Sequence, residues 1–222
     1  MKQHKKKKKE PWPTKNAMEQ IYDQNLWGGL HRQFYSGEGS YASYIVTPYL
    51  DGVIKFMKKL ETPITILDLG CGDFNIGKQL LPFSDTYIAV DIAQNVIDFN
   101  KKIHTQDNVD FLCLDISKDT LPKADVVIVR QVLQHLSNTE VQRILNKLSV
   151  YKYILLTEHL PIGEFIPNKD IISGQGIRIK QHSGLVITES PFNFKFMKQQ
   201  ELVSTKLNNN MGVLKTWLFS TF

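Results

Sequence analysis

Three short apolar runs in this 222-residue chain each end on or directly before an aspartate, and this repeated pattern constrains the fold most strongly. The runs span residues 64–68, 86–91 and 109–114, with Asp115 directly after the third. Apart from Asp110, the runs are largely apolar without strict alternation, which indicates strands covered on both faces, as in a parallel sheet flanked by helices. Because parallel crossovers are right-handed, the alternation of these runs with helical patterns predicts a doubly wound sheet.

The remainder of the chain extends this pattern. Residues 125–129 and 153–157 are predicted to be two more strands. Two strand-like runs at 201–207 and 213–222 are joined by a connection too short for a helix, which predicts an antiparallel hairpin. The predicted fold class is α/β, a doubly wound, mostly parallel seven-stranded sheet with a C-terminal antiparallel hairpin. Helices are predicted at 47–60, at 76–81 before Pro82, through Val96, Ile97 and Ile103, and at 140–148.

The positive charge of the chain is confined to its N-terminus. The net charge is +5, and residues 2–10, with six lysines and one glutamate, account for all of it. A lysine run without apolar partners predicts a disordered basic tail over residues 1–13. Because the positive charge is confined to this tail, the sequence disfavours a nucleic-acid partner. The rest is predicted to be a single α/β domain, 14–222. Its predicted parts are an N-terminal cover or lid (14–60), a cofactor-binding core (62–158), an acceptor-site insertion (159–197) and the hairpin (198–222).

Other features of the sequence bear on location and metal binding. No run approaches the ~18 apolar residues of a membrane span. Pro11, Trp12 and Pro13 follow the lysines where a secretory signal would need an apolar stretch. The two cysteines, Cys71 and Cys113, match no metal-binding spacing. These features predict a cytoplasmic protein with reduced thiols, no membrane span and no bound metal.

The residues at the predicted strand ends have the chemistry of an adenosine pocket. Gly70 and Gly72 allow the backbone to turn tightly and to approach a ligand closely. Asp91 is placed to accept hydrogen bonds from both hydroxyls of a ribose. Asp115 can accept from the exocyclic amine of adenine, while the backbone N–H of Ile116 donates to the ring. Together these residues predict a site for an adenosine-containing cofactor.

A nicotinamide or flavin dinucleotide is the rival ligand for such a loop. Its G-x-G-x-x-G fingerprint would need a third glycine at position 75, where this chain has Asn75. Asp68 and Asp73 also place negative charge around the loop, which repels a pyrophosphate and suits a cationic sulfonium with an ammonium group. The pattern therefore disfavours a dinucleotide.

Taken in order, the glycine loop and the strand ends resemble a known family. Asp-Leu-Gly-Cys-Gly at 68–72, Asp91 and the Asp-Ile pair at 115–116 look like the motifs of class I, Rossmann-like methyltransferases. The resemblance covers residues 62–158 by motif, and the C-terminal hairpin is a hallmark of the same family. It implies that residues 14–222 form a methyltransferase domain with S-adenosylmethionine as the cofactor. Phe74 departs from the family pattern, since many members have glycine at that position.

Three further motifs lie outside this core: Trp-Gly-Gly at 27–29, Ser-Gly-Glu-Gly-Ser at 36–40 and Gln-His-Leu-Ser at 134–137. They resemble a subgroup of largely uncharacterised bacterial and fungal methyltransferases that accompany sugar, polysaccharide or other small-molecule biosynthesis. The residues predicted to bind the cofactor are Trp27, Ser36, Asp68, Gly70, Gly72, Asp91, Ile92, Asp115, Ile116, Arg130 and Gln131.

Methyl transfer from a sulfonium needs an aligned acceptor and, for a hydroxyl, a base beyond the fourth or fifth strand. His135, about one turn after the fourth strand, and His159, directly after the fifth strand and beside Glu158, are the candidate catalytic residues. His135 has an alternative role as a histidine that packs against or caps a helix. The long connection after the fifth strand is predicted to line the acceptor pocket, and its Arg178 and Lys180 favour an anionic acceptor.

The residues directly after the fourth strand narrow the class of acceptor. Val-Arg-Gln-Val at 129–132 is not the Asn/Asp-Pro-Pro-Tyr/Phe tetrapeptide of methyltransferases that act on amino groups of DNA bases. The cysteine nucleophile of cytosine C5 methylation and clustered acidic metal ligands are also missing there. The sequence therefore predicts a methyltransferase for a small-molecule or sugar-type acceptor, at oxygen. Two alternatives stay open, an RNA methyltransferase that uses the lysine tail and a non-catalytic cofactor-binding scaffold.

Overall fold

The computed structural model describes residues 12–29, 34–61 and 63–222, so the predicted basic tail up to residue 11 lies outside the described residues. No helix within those ranges is both long and apolar enough to cross a membrane.

A seven-stranded sheet forms the centre of the fold. Its strands are β1 Thr65–Leu69, β2 Thr86–Asp91, β3 Val109–Cys113, β4 Val126–Arg130, β5 Tyr153–Leu160, β6 Lys198–Lys206 and β7 Val213–Ser220. Their order is β3-β2-β1-β4-β5-β7-β6. Strands β1 to β5 pair in parallel, and β7 pairs antiparallel with both β5 and β6. This confirms the predicted doubly wound, mostly parallel sheet with a C-terminal antiparallel hairpin.

Helices cover both faces of the sheet. They are α1 Thr14–Asp23, α2 Ser43–Met57, α3 Gln94–Ile103 and α4 Asn138–Leu148. Leu67 and Leu69 of β1 belong to a buried cluster with Ile144 of α4, whereas Ile66 belongs to the opposite cluster with Val53 of α2. All five side chains are fully buried. Burial on both faces explains why the strands are apolar without alternation.

Two elements differ from the sequence-based expectation. The predicted α-helix over 76–81 is a pair of 3-10 turns, Gly77–Gln79 and Leu81–Phe83, and Pro82 lies inside the second turn instead of ending a helix. Proline suits the first residues of such a turn because its missing N–H would have no partner there. Helix α2 begins at Ser43, ahead of the predicted start at 47, because burial of Ile45 and Val46 outweighs the one hydrogen bond lost at Pro48.

The 161–197 connection is packed into the fold. It contains one short 3-10 turn, Arg178–Gln181. Four of its apolar side chains enter the buried cluster on the α4 side of the sheet: Leu185, Ile187, Phe192 and Phe194. This burial holds a long irregular segment in one place beside the carboxyl ends of the strands.

Candidate active site

A cavity of about 350 Å³ opens at the carboxyl ends of β1, β2 and β4. Parallel strands bring their carboxyl ends to one edge of the sheet, where ligands of such folds bind. All the predicted cofactor-binding residues and both candidate histidines line the cavity: Trp27, Ser36, Asp68, Gly70, Gly72, Asp91, Ile92, Asp115, Ile116, Arg130, Gln131, His135 and His159.

The glycine loop after β1 has no room for side chains. Gly70 has a φ of 83° and Gly72 a φ of 54°, in the left-handed region that glycine adopts without strain. A Cβ at position 70 would lie 2.3 Å from Cγ2 of Val132, and one at 72 would lie 2.2 Å from Oγ of Ser36. The two glycines therefore permit both the turn and the close approach of neighbouring elements that the sequence predicted.

Asp91 connects the glycine loop to the start of α3. One carboxylate oxygen accepts from the backbone N–H of Gly72 at 3.0 Å, and the other accepts from the N–H of Ala93 at 2.9 Å. Burial raises the pKa of this carboxyl group, and the backbone donors partly oppose the increase. Both oxygens are thereby fixed at the cavity wall, where the carboxylate can also accept from a ligand.

Asp68 lies at the end of β1 and is almost fully buried. Burial raises its pKa to about 7, although the hydroxyl of Tyr87, which donates to it at 2.9 Å, and the charge of Arg130 act in the opposite direction. A carboxyl group with this pKa exchanges its proton near neutral pH, so a bound cation would change its ionisation.

Asp115 is held in its charged form. Burial opposes ionisation, but hydrogen bonds from Lys118 and Ser117 outweigh it and lower the pKa of the carboxyl group. The ammonium of Lys118 lies 2.8 Å from one oxygen, and the hydroxyl of Ser117 donates to the other at 2.6 Å. The carboxylate is therefore fixed at the outer end of the cavity beside Ile116.

Arg130 ends β4 and Gln131 follows it, and both side chains lie against the 36–40 segment. The Nη2 of Arg130 donates to the carbonyl of Gly39 at 2.5 Å, and its guanidinium lies 4.6 Å from the ring centroid of Tyr49. The backbone of Gln131 has a φ of 56°, an uncommon value for a residue with a side chain. Such local strain occurs where the surrounding structure dictates the conformation, and it is common at functional sites.

The N-terminal part of the chain covers the cavity through Asp73, whose role the sequence analysis did not identify. The backbone N–H of Ser36 donates to this carboxylate at 3.1 Å, and the hydroxyl of Tyr41 donates to it at 2.6 Å. The N–H of Asp73 donates in return to Oγ of Ser36 at 2.9 Å. Asp73 lines the cavity, and its carboxylate also attaches the cover to the glycine loop.

Helix α1 adds a wall that the sequence analysis also missed. Thr14, Met18 and Tyr22 recur at a spacing of four and line the cavity from one face of the helix. Glu140 of α4 lines it as well and accepts from the hydroxyl of Ser137 at 2.7 Å. The four-residue spacing in α1 is visible in the sequence, whereas the position of Glu140 depends on how α4 packs.

His135 follows β4 in the 3-10 turn Leu133–His135 and lies against Trp27, with ring centroids 5.3 Å apart. Its Nδ1 lies 3.1 Å from the carbonyl oxygen of Gly174. Burial lowers the pKa of His135 to about 4, although nearby backbone carbonyls act in the opposite direction. The imidazole is therefore neutral at physiological pH and donates through Nδ1–H to Gly174.

Hydrogen bonds around Gln134 define which nitrogen of His135 is unprotonated. The backbone N–H of His159 donates to one terminal atom of the Gln134 amide at 3.2 Å, which identifies that atom as the oxygen. The other terminal atom of the amide is therefore the nitrogen. This nitrogen lies 3.3 Å from Nε2 of His135. Because an amide NH₂ only donates, Nε2 of His135 is the hydrogen-bond acceptor.

His159 is placed differently from the expectation. It does not follow β5 but lies within it, because β7 pairs with β5 as far as Leu160. Its Nε2 lies 2.7 Å from the carbonyl oxygen of Met211 in the turn before β7. The neighbouring Glu158 points to the opposite face of the sheet and is fully buried, so the two side chains do not form a pair. His135 is the better-placed candidate base.

The two cations that suggested an anionic acceptor lie away from the cavity wall. Arg178 is 1% exposed, and its guanidinium donates to backbone carbonyls such as that of Leu136, at 2.8 Å. Lys180 is exposed. Neither lines the cavity, and within the described parts of its wall Arg130 is the only arginine or lysine. Among all the residues that the structure describes, no three or more His, Cys, Asp or Glu side chains form a cluster that could hold a metal ion.

Comparisons with known proteins agree with this architecture. Residues 67–151 match the family described as "Methyltransferase domain". A malonyl-[acyl-carrier protein] O-methyltransferase of Acetivibrio thermocellus is 39% identical over 77 residues, a match that covers 33% of this chain and 27% of that protein.

Two solved structures share the fold at low sequence identity. The N-methyltransferase NodS of Bradyrhizobium japonicum, in complex with S-adenosylhomocysteine, has a TM-score of 0.65 and 10% identity, and the match covers 93% of this chain and 100% of that one. The magnesium protoporphyrin IX methyltransferase of Synechocystis, with S-adenosylmethionine bound, has a TM-score of 0.58 and 12% identity over 96% of this chain and 100% of that one. Residues 67–151 thus match a methyltransferase domain, and the strand order with its C-terminal antiparallel hairpin is the fold of class I, Rossmann-like S-adenosylmethionine-dependent methyltransferases.

Proposed function

We propose that the protein transfers a methyl group from S-adenosylmethionine to an oxygen atom of an uncharged small-molecule or sugar-type acceptor. The observation that carries this proposal is the placement of a neutral imidazole, His135, in the same cavity as the three strand-end carboxylates Asp68, Asp91 and Asp115. The carboxylates suit the cofactor, and the imidazole suits a hydroxyl that must lose a proton. The name of the Acetivibrio relative, an O-methyltransferase, also favours oxygen.

The residues present fit the cofactor. The glycine loop leaves open the space that a Cβ at 70 or 72 would fill. Asp91, whose carboxylate lies at the cavity wall, suits the ribose hydroxyls, and Asp115 with the N–H of Ile116 suits the adenine edge. Asp68 is the carboxyl group for the ammonium of the methionine part. When bound, S-adenosylmethionine supplies a methyl group that its sulfonium has already activated.

We assign the acceptor to a part of the cavity wall that carries no fixed charge. Trp27, Gln131, His135 and Ile177 line it without contributing a fixed positive charge. Arg130, the cation of the described wall, is already bound to a backbone carbonyl of the cover. An aromatic face with amide and imidazole groups suits the apolar faces and hydroxyls of a sugar or another polyol. We therefore propose an uncharged acceptor, whereas the sequence favoured an anionic one.

His135 would act as the base through Nε2. Its Nδ1–H is used by Gly174, so Nε2 can accept the proton of an acceptor hydroxyl once the 3.3 Å contact from Gln134 yields. A pKa of about 4 keeps the ring unprotonated, although it also makes the ring a weak base. Alignment of the hydroxyl with the methyl group then supplies much of the rate.

Methyl transfer from methyl-labelled S-adenosylmethionine tests the acceptor class directly. Neutral sugars, polyols and phenols are expected to accept label, and the corresponding phosphorylated sugars are expected to accept less. His135→Gln should lower the rate by about 10²–10⁴-fold for a hydroxyl acceptor. Label that enters RNA, or only phosphorylated compounds, would reject an uncharged acceptor. Cofactor binding without transfer to any compound would favour the scaffold alternative.

The affinity for S-adenosylmethionine is expected to increase with pH near neutrality. Asp68 has a pKa of about 7 without ligand, and its proton must leave before the carboxylate can bind the ammonium. Affinity should therefore be about tenfold lower at pH 6 than at pH 8. Calorimetry across this range measures the change, and Asp68→Asn is the control because it keeps the titration of the cofactor's own amine. An equal pH dependence in both proteins would exclude Asp68 as the ammonium site.

A further inference from the structure

A buried arginine from the 161–197 connection has every donor in use. Arg178 is 1% exposed, and a guanidinium carries five N–H donors. Its acceptors are the backbone carbonyls of Lys169 (3.0 Å), Leu133 (3.2 Å), Gln134 (3.3 Å) and Leu136 (2.8 Å), and Oδ1 of Asn138 (2.7 Å).

Four of these five acceptors belong to residues 133–138, the turn after β4 that carries His135. Two of the carbonyls flank His135 directly in sequence, at Gln134 and Leu136. Buried carbonyls cost free energy when they have no donor, so the guanidinium stabilises this path of the backbone against others. A lysine at 178 would offer three donors from one point and would leave part of the set without a partner.

The segment 168–178 contacts the same turn at other points, and we call this segment the clasp. The hydroxyl of Ser173 accepts from the backbone N–H of Ser137 at 2.8 Å. Gly174 contacts His135 twice: its N–H donates to the carbonyl of His135 at 3.0 Å, and its carbonyl accepts from Nδ1 at 3.1 Å. The clasp therefore holds both the backbone and the ring of the candidate base.

We infer that Arg178 is a positioning residue that holds the 133–138 turn so that His135 keeps its proton on Nδ1 and presents Nε2 as the acceptor. Arg178 does not line the cavity, so it acts through the turn and not on the ligands. The catalytic meaning of this arrangement rests on the proposed function, in which Nε2 takes the acceptor's proton. The tautomer itself follows from the contacts of the clasp alone.

Nitrogen NMR of the full-length chain with ¹⁵N-labelled histidine tests the inference without an acceptor. The His135 resonances are identified by their loss in His135→Gln. In the wild type, Nδ1 should carry the proton and Nε2 should not. In Arg178→Lys, we expect the protonated Nδ1 signal to be lost in favour of the Nε2–H tautomer, which imidazole prefers in water. Lys180→Ala, a charge change at an exposed position of the same 3-10 turn, should leave the signals unchanged.

The outcomes separate positioning from mere stabilisation. A lower Tm of Arg178→Lys with wild-type His135 signals would overturn the inference, because Arg178 would then only stabilise the fold. If Arg178→Lys does not fold, Ser173→Ala, which loosens a half-buried part of the clasp, should give a mixture of both tautomers, and unchanged signals there would overturn it as well. S-adenosylhomocysteine affinity should change less than twofold in Arg178→Lys. If neither the wild type nor any variant binds S-adenosylhomocysteine, the proposed function is contradicted, but the result on the His135 tautomer is not affected.

Discussion

Replacing Asp91 with alanine is expected to weaken the binding of S-adenosylmethionine and S-adenosylhomocysteine by about 100-fold or more, since each hydrogen bond to a charged acceptor contributes roughly 1.5–3 kcal/mol. The carboxylate is fixed by the N–H groups of Gly72 and Ala93, and under the proposed function it also accepts from both ribose hydroxyls. Calorimetric titration of the purified protein measures the change. Both ligands share the ribose, so both should lose affinity to a similar extent.

Two variants control for indirect effects at this position. Asp91→Asn keeps the volume and one acceptor oxygen, and it should bind more tightly than Asp91→Ala. Asp98→Asn makes the same chemical change at an exposed position of α3 and should bind like the wild type. NAD serves as the ligand control, because the loop lacks the third glycine of a dinucleotide site at Asn75. Undiminished affinity in Asp91→Ala would show that this carboxylate does not bind the ribose.

Phe74→Ala is expected to lower the free energy of unfolding by about 3–5 kcal/mol. The side chain is fully buried, and its ring centroid lies 5.4 Å from that of Tyr87, 5.1 Å from His104 and 4.9 Å from Phe111. Truncation would leave a cavity directly beneath the glycine loop. For a chain of this size the Tm should fall by about 10 °C. Urea unfolding followed by circular dichroism measures the change.

The conformation of Phe74 adds a second comparison. Its φ of 59° is in the left-handed region, where a side chain costs roughly 1–2 kcal/mol relative to glycine. Phe74→Gly should therefore be less destabilising than Phe74→Ala by about 1 kcal/mol, even though it removes more atoms. Phe222→Ala, which truncates an exposed phenylalanine, should change stability little. A loss below about 1 kcal/mol in Phe74→Ala would contradict the packing account.

The contacts of the Phe74 ring explain how this chain tolerates phenylalanine where many methyltransferases of this kind have glycine. Glycine at this position would avoid the backbone strain. In this chain, burial of the Phe74 ring against three other rings offsets the free-energy cost of the strained backbone. The sequence showed the departure but not its compensation. The ring partners come from β2, β3 and the end of α3, and only folding brings them together.

The fold and the part of the cavity wall that the strand ends form were predictable because they depend on local patterns. Apolar runs without alternation indicate strands of a parallel sheet, and parallel strands bring their carboxyl ends to one edge. Residues at the ends of those runs, such as Asp68, Asp91 and Asp115, must therefore converge on one cavity. The tight turn at Gly70 and Gly72 was also predictable, because a tight turn after a strand needs a positive φ that glycine adopts easily.

The tertiary structure alone decided which partners the polar side chains bind. Arg178 looked like a free charge near a ligand, but its guanidinium is buried and donates to backbone carbonyls of a distant segment. Asp73 lines the cavity, but it also accepts from the backbone N–H of Ser36. His159 looked like a loop residue, but pairing with β7 placed it inside a strand. The sequence by itself determined where the cavity lies and which carboxylates line it, because strand direction and turn chemistry are local. It did not determine which polar groups remain available to a ligand, because a buried charge is satisfied by whichever partners folding brings within hydrogen-bond reach.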